Sequence, residues 1–480
     1  MTTLIGGEML AWSDLDGSHG PAPSGGDALP SLLATASGRT LVAGPHSPQV
    51  LAALPAADVT VLIRGDADVA AFTGPAVLCG SLEKLAAEPA FDTIIALDGL
   101  DRLHSAEAPP FTWDETFTQL LALLKPDGRL LLGHENLFGV HRLTALPPTP
   151  ADADWVVPDD HDPARPAGHT RLLSRLTEAG LHVSRDYAAY PSLASPAVLL
   201  SAEALTQRAV SGVLSAALAS AFRTTADTLS DPVRLSTAAL RHDLAAALAP
   251  AWFVIAERGT PQPSATAPDA VIASAPVELS ALPPGRTLND HLLAAAQRRD
   301  LPAMRELLTA WQSGPSAEVP ATHLVVTPAS SAPAALTPLA PAGEPLTALR
   351  AFAAEAIAAG YAHLWPIPAD EAELTTVLAG MTGRELDPTE VPPASPPAPH
   401  TIAGLLADRE RLTRELAEAK AKHSWYEKML LHREAELKRV RQMNALLSAT
   451  VPGKAAAGLV GGLRAGKRAV RSVVRRTRGT

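Results

Sequence analysis

The residues of this sequence best placed to do chemistry are polar groups that directly follow short apolar runs. Asp98 and Asp101 follow Phe91–Leu97 (FDTIIAL), and His134, Glu135 and Asn136 follow Gly128–Gly133 (GRLLLG). A histidine or carboxylate in such a place can take a proton as a general base, and an amide beside it can orient an acceptor. Upstream, the loop Ala43-Gly44-Pro45-His46-Ser47-Pro48 also ends an apolar run, with Ser47 placed to cap a helix that opens on Pro48. A helix N-terminus there would attract an anion. The other histidines read as structural or solvated. His161 alone sits among acids, in Asp159-Asp160-His161-Asp162. Those are suitable cation ligands by type, but residues adjacent in sequence seldom converge on one ion, and no metal site is predicted.

These groups need elements that hold them together. Arg39–Ala43, Asp58–Ile63, Pro75–Cys79, Phe91–Leu97 and Gly128–Gly133 are apolar runs separated by helical or turn-rich intervals. That alternation predicts a parallel sheet covered on both faces. In such open sheets ligands sit beyond the carboxyl ends of the strands, where the polar groups fall. Lys125-Pro126-Asp127-Gly128 predicts a helix stop and a turn before the fifth strand. Thr170–Gly180 predicts a helix capped by Gly180, and Leu181–Ser192 a sixth strand. After a helical insertion over 202–248, Ala251–Glu257 reads as a seventh strand, expected to pair with the sixth as an antiparallel edge hairpin. Residues 38–258 then form one doubly wound α/β domain, behind a lead-in of low order over 1–37.

The order of these elements, with FDTIIALDGLDRL, LLKPDGRLLL and HENLFGVHRL in place, resembles the class I S-adenosylmethionine-dependent methyltransferases. More narrowly, Glu135-Asn136 with Gly139, the YAAYPS segment Tyr187–Ser192 and Leu199–Ser201 are similar to bacterial methyltransferase-like proteins found with cell-surface polysaccharide machinery. The resemblance implies a Rossmann-like domain using S-adenosyl-L-methionine. It implies Gly44, His46, Ser47, Asp66 and Asp98 on the cofactor side and Glu135, His134 and Asn136 on the acceptor side, the acceptor being a glycan or lipid-linked sugar. Methyl transfer by in-line displacement needs positioning and, in some cases, a base. Two positions depart from the family pattern. Pro45 takes a backbone donor out of a turn where the family places glycines, and Arg64 stands where the family has a ribose-binding acid, with Asp66 and Asp68 next along. Two readings stay open: a methyltransferase, and a non-catalytic methyltransferase-like scaffold that oligomerises and recruits glycan-assembling enzymes.

The rest of the chain is built differently. Residues 271–383 predict a small α+β accessory domain that resembles the one following the methyltransferase part in the same polysaccharide-associated proteins. A proline-rich linker follows over 384–400. Across 401–448 a 4,3 spacing of apolar residues predicts a coiled-coil helix, with homo-oligomerisation through 405–447. The tail, 449–480, carries eight basic residues and no acid, while the 32 basic residues before it face 50 acids. A basic amphipathic tail suits an anionic membrane surface, and its lack of aromatics argues against nucleic acid. Cys79 is the single cysteine, and no apolar run is long enough to cross a bilayer, so a cytoplasmic protein, peripheral at the inner face of the membrane, is expected.

Overall fold

The computed structural model describes residues 2–55, 58–145, 162–223, 228–259, 267–327, 335–340, 343–358, 360–365, 370–391, 402–449 and 458–468. Asp159, Asp160 and His161, residues 392–400 of the proline-rich linker, and tail residues 450–457 and 469–480 lie outside them. The chain divides into two units, Met1–Ala403 and Gly404–Thr480.

The first unit is organised by one sheet. Its strands are β1 (Thr2–Gly6), β2 (Thr40–Ala43), β3 (Val59–Ile63), β4 (Ala76–Gly80), β5 (Phe91–Ala96), β6 (Leu124–Glu135), β7 (Leu181–Tyr190), β8 (Val198–Ser201), β9 (Ala251–Arg258), β10 (Ala270–Ile272) and β11 (Ala275–Val277). They lie in the order β1-β4-β3-β2-β5-β6-β9-β7-β8-β10-β11. Pairing is parallel from β1 across to β6 and antiparallel from β6 to β11. Alternate residues feed two cores. Leu41, Ile94, Leu130 and Trp252 face one side; Val42, Ile95, Leu131 and Phe253 face the other. The doubly wound α/β expectation therefore holds, because strands apolar on both faces must be covered on both.

Helices α1 (Leu29–Leu33) and α2 (Pro48–Leu51) supply residues to the second face. On the first lie α3 (Trp113–Ala122), α4 (Val140–Thr144), α5 (His169–Glu178) and, from the insertion, α6 (Ala202–Thr206), α7 (Ser211–Ala221), α8 (Pro232–Arg241) and α9 (Ala245–Leu248). A third core lies around the three-stranded antiparallel sheet β12 (Arg286–Thr287), β13 (Leu324–Thr327) and β14 (Ala335–Pro338). It packs with α10 (Leu288–Gln297), α11 (Leu301–Gln312), α12 (Pro345–Ala358) and α13 (Glu371–Met381) around the fully buried Trp311. The other unit contains all but the first two residues of α14 (Ile402–Ala449), one uninterrupted helix of 48 residues, and a helical stretch over 458–468. No described helix is long and apolar enough to cross a membrane.

Four expectations are corrected. The lead-in is ordered: β1 extends the sheet, and Leu29, Leu32 and Leu33, at helical spacing, are buried. Glycine and proline around these short apolar patches hid them. The seventh strand, β9, sits inside the sheet between β6 and β7, and not at an edge. A strand buried from Ala251 to Glu257 has no face to give to solvent. Lys125–Gly128 does not precede the fifth strand but lies within β6, whose register with β5 slips between Phe91 and Thr93. Finally, β10 and β11 join the large sheet, so the accessory sheet begins at Arg286 and not near 271.

The backbones of β6 and the β5 end approach so closely that a Cβ on Gly133 would lie 2.1 Å from the Leu97 carbonyl oxygen. Gly133→Ala should lower stability by about 1–3 kcal/mol through overpacking, read as a lower urea midpoint with an unchanged m-value.

Candidate functional site at the switch point

From β2 the chain builds outward through β3 and β4, then returns to start β5 and β6 on the other side. The connections that leave the carboxyl ends of the paired strands β2 and β5 therefore run in opposite directions, and the crevice between them is where an open α/β sheet binds ligands. Gly44, Pro45, His46 and Ser47 leave β2 at this point, and Asp98 follows β5.

The crevice is filled by the chain itself. Gly44 turns with φ +91°, and its amide donates to Leu62 O at 3.0 Å. His46 points inward, fully buried. Its Nε2 accepts from the Leu97 amide at 3.2 Å, which leaves the proton on Nδ1 to donate to Gly44 O at 3.1 Å. Burial, helped by the nearby Arg102 charge, pushes this imidazole down to about 4, so it is neutral at physiological pH. Ser47 stands at the N-cap of α2 as expected, but its hydroxyl binds Gln49 and does not cap, and α2 is a single turn.

Across the strand ends runs a strap, residues 9–25. Met9 N donates to Arg64 O at 2.7 Å, Ser24 N to Pro45 O at 2.9 Å, and Ser47 N to Ser24 O at 2.8 Å. Asp14 reaches down to Arg64 with a forked pair, Nε to Oδ2 at 2.8 Å and Nη2 to Oδ1 at 2.9 Å. Burial opposes ionisation of Asp14, but Arg64 prevails and holds its carboxyl below the usual range. Asp68 accepts the Asp14 amide at 2.8 Å and the Ser13 hydroxyl. Asp98 is likewise committed: Arg102 grips both its oxygens and donates onward to Pro21 O at 2.8 Å and Ala22 O at 3.2 Å. Burial drives the Asp98 carboxyl up, to about 7, against the pull of Arg102. Asp66, at the end of β3, keeps Oδ1 buried without a hydrogen-bond partner.

The predicted acceptor side lies at the end of β6. His134 is buried beside Trp113 and Trp252, with ring centroids 5.6 and 6.0 Å away, and its Nε2 meets Pro166 O at 3.0 Å. Burial lowers it to about 4. Glu135 is held by His141 at 2.9 Å and Arg142 at 3.0 Å. Burial acts to raise it, but those hydrogen bonds and charges win and hold it at about 2. Asn136 gives both amide protons to Ala247 O and Ala249 O, each at 2.8 Å, and accepts from Phe138 N. Tyr190 takes Ala245 O at 2.9 Å and Trp252 takes Ala246 O at 2.7 Å. The carbonyls of the short helix α9, which its own backbone cannot satisfy, are thus met by side chains from β7, β9 and the end of β6. Asn136 has no amide proton left for an acceptor, Glu135 is a poor base at about 2, and His134 is enclosed.

The fold therefore gathers Gly44, His46, Ser47 and Asp98 at one crevice and sets His134, Glu135 and Asn136 at the neighbouring strand end, but binds nearly all of them to the protein. As arranged they do not fit S-adenosylmethionine: the His46 imidazole fills the turn, and Arg64, where the resemblance expects a ribose acid, is paired with Asp14. Sequence reading missed Asp14 and Arg102. The Asp98–Arg102 spacing of i,i+4 was a usable signal; Asp14 gave none, its partner being 50 residues away. Among the described residues no cluster suits a metal ion.

No family model matches the chain, and no curated protein matches it. Its structural neighbours include S-adenosylmethionine-dependent methyltransferases. One, from Mesorhizobium loti, is 14% identical over 49% of this chain and 99% of its own, with a TM-score of 0.27. Another, from Geobacter sulfurreducens and in complex with S-adenosyl-L-homocysteine, is 13% identical over 50% and 92%, at 0.22. The [4+2]-cyclase SpnF is 18% identical over 49% and 81%, at 0.27. The doubly wound fold stands on the strand order of this chain.

Two outcomes follow for stability. His46 and His134 are held near 4, below the ordinary 6.5, so the unfolded chain binds protons that the folded one refuses. Their contribution is complete above pH 6.5 and is lost as pH falls towards 4, with a combined slope approaching about 2.7 kcal/mol per pH unit. His46→Asn should remove about half of that slope in urea titrations across the window. Asn136→Ala should cost about 2 kcal/mol, because two carbonyls lose their donors.

Proposed function

We propose that this chain is a methyltransferase-like protein that does not use S-adenosylmethionine, and that it serves as a scaffold in cell-surface polysaccharide assembly. The observation that carries this reading is the strap: residues 9–25 lie over the switch point and take its hydrogen-bonding groups through Asp14–Arg64, Ser24 with Pro45 and Ser47, and Arg102 with Pro21 and Ala22. A cofactor would have to displace an ion pair, several backbone hydrogen bonds and a buried imidazole before making contacts of its own. The polysaccharide setting rests on the resemblance carried by Glu135-Asn136, Gly139 and Tyr187–Ser192.

A second reading, a methyltransferase acting on a glycan or lipid-linked sugar, has one observation on its side. Asp66 Oδ1 is a buried carboxylate oxygen with no partner, at the strand end where the resemblance puts a ribose acceptor. Titration of the full chain with S-adenosylhomocysteine separates the two. The scaffold reading expects no heat and no rise in melting temperature at millimolar ligand. Micromolar binding, with faster amide exchange over residues 9–25, would overturn it in favour of the enzyme.

A further inference from the structure

We propose that α14 pairs with α14 of a second copy of this chain as a parallel, in-register, two-stranded coiled coil. The pairing is independent of whether the crevice binds S-adenosylmethionine. Every side chain of α14 that is described is exposed, along a helix about 70 Å long. An isolated helix has no reason to keep leucines in water on one stripe. Leu416, Leu430 and Leu437 recur at heptad position a, and Leu412, Val440 and Leu447 at position d, with exposures from 55% to 63%. Ala419 and Tyr426 complete the apolar d positions, and His423, Arg433 and Asn444 interrupt the seam.

The flanking charges select the geometry. Positions g carry Glu415, Lys422 and Glu436; positions e carry Lys420, Glu427, Glu434 and Arg441. In a parallel pair in register, each g residue faces the e residue five places further along the other helix. Glu415 then meets Lys420, Lys422 meets Glu427, and Glu436 meets Arg441, and twofold symmetry repeats each contact. Glu434 faces Met429, and no like charges meet along the e and g flanks; within the seam Arg433, at position d, faces its own copy, a cost that the six flanking attractions offset. A fully overlapped antiparallel pair would instead set Glu415 against Glu436, g against g. Asn444 points the same way, since an asparagine at a meets its own copy only in a parallel pair in register, where it also favours two strands. Within the helix the same carboxylates have loose i,i+4 partners, His423 to Glu427 at 3.7 Å and His432 to Glu436 at 3.4 Å, which leaves them on the flanks of the seam.

Sedimentation equilibrium of the full chain at micromolar concentration should give twice the 49.9 kDa chain mass, and Leu430→Asp should return it to the chain mass. Lys422→Glu should weaken association by about tenfold by replacing two attractions with repulsions, and Lys422→Glu with Glu427→Lys in the same chain should restore it. Asn444→Cys should give a disulfide-linked dimer under mild oxidant, without background from the buried Cys79. A monomer at high micromolar concentration, a trimer, failure of the charge swap to restore association, or a dimer that does not cross-link at position 444 would each overturn the proposal.

Discussion

A guanidinium buried at the head of a parallel sheet has to find acceptors for five N–H groups, and this chain is arranged around that demand at Arg102. Asp98 accepts from two of its nitrogens, and the strap carbonyls of Pro21 and Ala22 accept the outward-facing donors. Without Asp98 the charge would be unpaired, and the strap that shuts the guanidinium off from water supplies the carbonyls its remaining donors then need. The second arginine of the crevice, Arg64, repeats the arrangement with Asp14. Two arginines set at strand ends thus hold the N-terminal segment across the carboxyl edge of the sheet.

The strands of the doubly wound half were legible because a parallel sheet writes itself as short apolar runs, and Leu41–Ala43, Val61–Ile63 and Ile94–Leu97 are such runs. The order of the last strands was harder. Nothing local distinguishes an inserted β9 from an edge β9 except that Ala251–Glu257 has no polar face, a difference of degree in a short segment. The strap was not legible at all. Its attachments are single side chains and backbone groups that meet partners from about 20 to about 170 residues away, and a glycine- and proline-rich composition looks the same in a disordered lead-in as in an ordered one that crosses other elements.

The candidate acceptor residues teach a related lesson. Asn136 directly follows β6 and Tyr190 ends β7, and in this fold both close off the carbonyls at α9. Polar residues at a strand end can mark a reaction centre or the anchorage of an inserted helix, and sequence treats these alike. Burial and saturated hydrogen bonding tell them apart. A catalytic amide keeps a donor free, whereas Asn136 has both protons committed to backbone.

The strap is also tied at both ends. β1 precedes it, paired along β4, and α1 follows it with Leu29, Leu32 and Leu33 in the core. A terminal arm frays residue by residue, but a segment pinned on either side opens only by a cooperative local unfolding that breaks its ion pairs together. Exchange of its amides is therefore expected to proceed as a block, and whatever enters the crevice would wait on that opening, so the rate of entry would be set by the fold and not by the concentration of the visitor.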